Sequence, residues 1–235
     1  MIITPEFHLP ELTRWKKSRL LDYASQVLQA QQQMMGKNGK NILHYTLQKK
    51  RQFIRMSHYP KGDRIDYTTG AQYFYHCHRE NVESMEHGHF HCFMRYKNIP
   101  RRITPTLPAD SQNQSPMTHL VAISMNQFGQ PIRLFTVNRW VSSDIWYDAK
   151  HAPFFIKRYK MTLNDCPHWQ ILDSWVEGVI HLFAPQIEWL QRARDTNIAQ
   201  QKIDNPDKNV YENREIEELS EISINLNTQI QWVIG

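Results

Sequence analysis

Long apolar runs are missing from this 235-residue chain: no stretch approaches 18 residues, and polar or charged side chains interrupt the first twenty positions. A membrane span needs about 18 to 20 such residues and a secretory leader needs an apolar core, so the chain reads as cytoplasmic, with no membrane partner. Cysteine is scarce. Cys77, Cys92 and Cys166 are odd in number and widely spaced, and they form no C-x-x-C pair. That excludes a disulfide framework and predicts free thiols in a reducing compartment. Internal repeats and nucleic-acid-binding motifs are missing as well. The basic residues come in twos and threes (Lys16-Lys17, Lys49-Lys50-Arg51, Arg101-Arg102, Lys157-Arg158), which reads as solvated surface charge and not as a nucleic-acid face.

Aromatics, by contrast, are plentiful: seven Trp, ten Tyr and ten Phe in a chain that is 40% hydrophobic and 22% charged predict a well-filled interior. One domain over residues 1–235 is the default at this length. The net charge of +5 hides an asymmetry: residues 204–223 hold seven acidic side chains against Lys208 and Arg214, a net of −5, so the remainder carries +10.

Periodicity predicts an α+β fold, an antiparallel β-meander of about four or more strands flanked by an N-terminal helix and long C-terminal helices. The N-terminal part, about 10–56, opens with an amphipathic helix over 10–35, bounded by Pro10 and by Gly36 and Gly39, whose apolar face should cover a sheet. Residues 41–56 fit helix or strand. Ordered turns are expected at 58–63 and 66–70, where Asp63 and Asp66 suit capping better than ligation. The sheet, about 58–147, should run through strands 72–79, 87–96, 118–125 and 132–137, with a long Pro-rich loop over 97–117. His119, Val121 and Ile123 are expected on one face of the third strand. In the part from 150 to 235, a short helix or loop over 154–162 precedes a helix from His168 that Pro185 must break or restart. The acidic segment 212–221 suits an edge strand or a helix, and 226–234 a last short helix.

Within the sheet, histidine concentrates. Tyr75-His76-Cys77-His78-Arg79 is followed by Glu86-His87-Gly88-His89-Phe90-His91-Cys92-Phe93. On a strand, alternate side chains share a face, so His87, His89 and His91 are expected on one side. If His78 pairs with His87, His76 faces His89 and Phe74 faces His91; a one-residue slip would present Arg79, Cys77 and Tyr75 instead. Residues two apart on a strand are about 6.6 Å apart, within reach of one ion, and residues four apart about 13 Å, out of reach. A cross-strand set drawn from His76, His78, His87, His89 and His91 therefore suits a divalent transition metal (zinc, iron or manganese, with nickel and copper also accepting imidazole) with a position open for water. Glu86 is expected as a support for a ligand or as a general base, and Arg79 as the anchor of a small anionic substrate. His119, Asn138 and Arg139 are candidates to line the same cleft, as is Trp140, which would serve equally as a core cap. His8, His44, His151, His168 and His181 read singly as structural.

His58-Tyr59-Pro60, Gly62-Asp63, 72–79, 86–91, 118–124 and Asn138-Arg139-Trp140-Val141 together resemble an uncharacterised bacterial family described only as a domain of unknown function. The resemblance runs from about the first helix to about Ile234 and implies that these blocks share one domain; it implies no activity. Residues 87–93 also resemble the His-apolar-His-apolar-His-apolar-apolar pattern of histidine-triad nucleotide hydrolases and transferases, which would make His89 a nucleophile toward an α-phosphate. Gly88 departs from that alternation, the small-residue phosphate loop is missing, and Glu86 would repel a phosphate. The expected function is thus a metal-binding protein, possessing metal-dependent hydrolase activity in the fuller form. A histidine-triad-like enzyme and a non-catalytic metal or small-molecule binder are the alternatives.

Overall fold

Period-two alternation builds the sheet at the centre of the protein. The computed structural model describes residues 6–36, 40–47, 52–77, 85–109, 113–142 and 145–235. Six strands, β1 (Tyr59–Ile65), β2 (Ala71–Cys77), β3 (Gly88–Arg95), β4 (Met117–Met125), β5 (Pro131–Val137) and β6 (Glu218–Ser223), lie in chain order, each antiparallel to the next. Helices α1 (Arg14–Met35) and α2 (Ile42–Leu47) precede the sheet. Four more, α3 (Arg139–Ser142), α4 (Ala152–Arg158), α5 (Pro167–Leu182) and α6 (Ala184–Asp204), run between β5 and β6, and α7 (Leu226–Ile234) ends the chain. The fold is α+β, with the expected meander extended by one strand at each edge.

Both added strands have a physical reason. β1 carries Pro60 and Gly62, which read as turn residues, yet an edge strand tolerates a residue without a ladder donor. β6 comes from the acidic segment, and its Glu218 and Glu221 both pair with Arg133 of β5. Opposite charges across adjacent strands hold that edge in place.

One face of the sheet lies under helices. Tyr73, Tyr75, Phe90, Cys92, Met94, Val121, Ile123 and Leu134 are buried in a common cluster with Leu172, Trp175 and Val179 of α5. Phe90 meets Trp175 at a ring-centroid distance of 5.8 Å. α6 is tied to strand carbonyls by side chains, Gln191 donating to the Leu120 carbonyl at 2.6 Å and Asn197 to that of Leu219 at 2.8 Å. The expectation that α1 covers the sheet is corrected: α1 packs on α5. Tyr23 stacks on His181, Gln26 donates to the Ser174 carbonyl at 2.8 Å, and a Cβ on Gly178 would lie 2.7 Å from Val27 Cγ2. That close approach requires a residue without a side chain. α1 also starts later than Pro10, at the N-cap Thr13, whose hydroxyl accepts from Lys16 N.

Helices α5 and α6 separate at Phe183, where Pro185 cannot donate backward and restarts the helix in its first turn. Arg64 ties the β1 edge to this layer. Its guanidinium forks onto Asp173 of α5, with Nη2 to Oδ2 at 2.7 Å, and onto Asp165, with Nη1 to Oδ2 at 2.6 Å; Tyr73 adds a hydroxyl to Asp173 at 2.8 Å. Among the described residues no helix is long and apolar enough to cross a membrane.

Candidate metal centre

On the sheet face turned from α5 and α6, β2 and β3 pair His76 with His89 and Phe74 with His91. Of the two registers open to the sequence, the one that unites histidines is the one observed. The imidazole Nε2 atoms converge, His76 to His89 at 2.7 Å and His89 to His91 at 2.9 Å. All three rings are buried, and their potential ligand atoms lie within 4.8 Å of one another, a group that could hold a metal ion.

The far nitrogens are engaged as well. His89 Nδ1 lies 2.7 Å from Glu86 Oε1, and His91 Nδ1 lies 3.1 Å from His119 Nε2. Glu86 in turn accepts from the Ser124 hydroxyl and from Arg133 Nη2 at 3.1 Å. Burial alone would raise its proton affinity, but the bonds from His89, Ser124 and Arg133 outweigh burial and hold the carboxyl at about 2. A carboxylate so stabilised is a poor general base near neutrality and a good fixed acceptor for His89 Nδ1–H. Burial, with the nearby charge of Arg194, pushes His119 down to about 3. A neutral His119 can therefore offer Nε2 as acceptor to His91 Nδ1–H, leaving the His91 Nε2 lone pair facing the other two rings.

His119 reaches this face through a β-bulge. Pairing between β3 and β4 steps from Cys92↔Val121 to Phe93↔His119, so Leu120 is an extra residue and the alternation resets. Leu120, Val121 and Ile123 all enter the helix-side core. The expectation that His119 shares a face with Val121 and Ile123 is corrected; the bulge is what brings His119 to the trio.

His87 goes the other way. It lies one residue before β3, its Nδ1 is 2.6 Å from the Tyr75 hydroxyl, and Phe53 meets its ring edge-on at 5.1 Å. Tyr75 belongs to the helix-side core, so His87 does not join His89 and His91 as alternation predicted. The chain leaves the regular pleat at Gly88, where a Cβ would sit 2.2 Å from the His76 carbonyl oxygen. The first histidine of the pattern behind the histidine-triad resemblance is thus turned to Tyr75 and away from the other two. His78 and Arg79 lie outside the described residues.

Asn138 is fully buried, and its amide is taken up by backbone: Nδ2 donates to the carbonyls of Val210 and Ile216, and Oδ1 accepts from Arg139 N. It fastens the end of β5 to segment 210–216. Arg139 pairs with Glu212, and Trp140 Nε1 donates to the Ile216 carbonyl at 2.9 Å, so Trp140 serves as a cap on that segment.

Three residues near the trio escaped the sequence argument. Ser124 and Arg133 support Glu86, and the alternation of β4 and β5 carries the signal, since Ser124 pairs with both His89 and Arg133. His58 stacks on Phe74 with centroids 3.6 Å apart, and its Nδ1 lies 2.7 Å from Asp63 Oδ1; Asp63 also accepts from Gln72 Nε2. Asp66 does cap its turn, accepting from the backbone of Thr68 and Thr69.

Comparison with curated proteins found no match, and neither did comparison with solved structures. A protein-family model does match, over residues 21–224, and by that match the chain belongs to the family described as Domain of unknown function (DUF6969).

Proposed function

We propose that this protein binds one divalent transition-metal ion through Nε2 of His76, His89 and His91 and uses it to activate water for hydrolysis of a small-molecule substrate. The observation that carries the reading is the convergence of three Nε2 atoms while the far nitrogens of His89 and His91 face acceptors. Metal-bound histidines need that arrangement: Nδ1–H donated outward, Nε2 lone pair inward. With His89 Nδ1–H given to Glu86, a single lone pair on His89 Nε2 faces two neighbouring nitrogens, and a cation would satisfy all three at once.

Distances support the reading. At a metal–nitrogen length of about 2.0–2.1 Å, ligands at right angles are about 2.9 Å apart and tetrahedral ones about 3.4 Å apart. The observed separations of 2.7 and 2.9 Å are near the first and within a small ring rotation of the second. Three imidazoles leave coordination positions for water, whose proton affinity such an ion lowers toward neutrality. Zinc, iron and manganese all accept this donor set.

Cobalt(II) titration of metal-stripped protein tests the binding step. The expected result is a saturable visible spectrum with one ion per chain that disappears in His89→Ala. Turnover of an ester and phosphoester panel should then follow the metal. No cobalt spectrum in folded wild-type protein overturns the reading, whereas a bound ion without turnover reduces it to a non-catalytic metal binder.

A further inference from the structure

A hollow of about 580 Å³ lies in the helical layer, and none of its lining residues belongs to the sheet. It is bounded by the arm before α1, the first half of α1, α4 and the α5–α6 junction. Its walls are aromatic: Trp15, Tyr23 and Trp189 face it. Trp15 is two-thirds exposed, and the Arg19 guanidinium carbon lies 4.8 Å from its ring centroid, so an indole face and a cation stand together at the rim.

Four cations surround the same space: Lys16, Arg19, Lys157 and Arg192. The ion pairs among the described residues belong to other cations, namely Arg64, Arg133, Arg139, Lys150, Arg194 and the histidines 8, 58 and 89. Of the two lining carboxylates, Glu6 sits 3.5 Å from His8, and Glu188 feels the charges of Arg192 and Lys16 without a direct bond to either. A positive surplus therefore faces an apolar space, which attracts an anion with an apolar body.

His181 adds a directional contact. Its ring is buried and stacked on Tyr23 at 4.2 Å, and Nε2 lies 2.9 Å from the Tyr159 carbonyl, which can only accept. Nε2 must then carry the proton. Burial keeps the ring neutral by holding it down at about 4, so the remaining nitrogen, Nδ1, is an acceptor. It has no hydrogen-bond partner among the described residues, and His181 lines the hollow.

We infer that this hollow binds a small aromatic carboxylic acid that also carries an N–H or O–H donor. The ring packs among Trp15, Tyr23 and Trp189, the carboxylate meets the cationic rim, and the donor reaches His181 Nδ1. The site is independent of the histidine trio and of any metal there.

Indole-3-acetate, which has an aromatic body, a carboxylate and one N–H, is the probe, with indole-3-acetamide as its uncharged partner. Ligand-observed NMR titration of the full chain should give saturable binding with Kd on the order of 1 mM or tighter, as expected for a fragment of this size. The amide should bind at least about fivefold more weakly, the effect of one charge interaction near a surface. The double variant Lys157→Gln/Arg192→Gln changes two exposed side chains and should weaken the acid about fivefold or more while leaving the amide unchanged. The inference is overturned by no saturable binding up to about 10 mM, ten times the expected Kd. It is overturned equally by acid and amide binding alike, a comparison made on wild-type protein and so independent of how any variant folds.

Discussion

Replacing Gly88 with alanine tests the register on which the histidine trio depends. An added Cβ would lie 2.2 Å from the His76 carbonyl oxygen, 2.7 Å from the Tyr75 hydroxyl oxygen and 2.9 Å from Cys77 Cα. Two of those atoms are backbone of β2, a strand paired on both sides, so no rotamer change relieves the contact. β2 and β3 must part by about 1 Å at this end to restore a normal carbon–oxygen contact. Overpacking of this kind costs about 1–3 kcal/mol, and one or two lost ladder bonds add about 1 kcal/mol each, for a total of about 2–5 kcal/mol. At this chain length 1 kcal/mol shifts Tm by about 2–4 °C, so a fall of about 4–20 °C is expected in a circular-dichroism melt. Because His76 is the carbonyl that must retreat, its Nε2 moves from His89, and cobalt binding should weaken with the melt. Gly62→Ala is the control: it meets nothing within 4 Å, so it carries only the cost of its φ of +85° and should leave cobalt binding intact. A Gly88→Ala protein that melts within about 2 °C of wild type and binds cobalt unchanged would refute the close approach, and the register argument with it.

Removing Arg64 leaves Asp173 buried, with Tyr73 as its remaining hydrogen-bond donor among the described residues; Arg64→Met should cost about 3–5 kcal/mol in urea unfolding, and adding Asp173→Asn should recover a large part of it. Glu86→Gln keeps the shape but weakens the hold on His89 Nδ1–H, so competition against a chelating dye should show metal affinity reduced about 10–100-fold with little change in the melt. His181 sets a pH dependence. Its folded-state value is held down near 4 from the ordinary 6.5, so between those values the unfolded chain binds a proton that the folded chain does not. Stability should therefore fall as pH drops from about 6.5 to about 4, by up to about 3 kcal/mol; His181→Gln, compared with wild type across that range, should lack this component, and parallel pH profiles of the two would contradict it.

The strands were legible where side chains alternate cleanly: β2, β3, β4 and β5 lie where period two put them, and Pro185 separates two helices as its chemistry requires. Alternation and the short connection between the strands leave two registers open, and the pairing of His76 with His89 belongs to one of them; only the structure decides between the two. What alternation cannot carry is its own interruption. A bulge at Leu120 reset the phase and sent His119 to the face opposite Val121, while departure from the pleat at Gly88 sent His87 to Tyr75. Neither event changes the spacing of residues in the chain, so counting by twos misplaces both. β1 was hidden by Pro60 and Gly62, residues that suit a turn in isolation and an edge strand once β2 is beside them. The amphipathic face of α1 was visible, but its partner was not: a stripe of Ala24, Val27 and Ala30 fits a helix as well as a sheet, and only Gly178 across from Val27 decides for α5. Asn138 is the same lesson for a polar group. Its amide looked available, and three backbone groups of neighbouring segments consume it.

Metal content measured by inductively coupled plasma mass spectrometry addresses the central claim most directly, using protein purified without chelators or a histidine tag from cells supplied with zinc, iron and manganese. About one ion per chain is expected in the wild type, and a small fraction of that in His76→Ala, His89→Ala and His91→Ala. His87→Ala, whose ring faces Tyr75, should keep the ion. Folded wild-type protein that carries and takes up no transition metal, or a trio of alanine variants that retain it in full, would contradict the account.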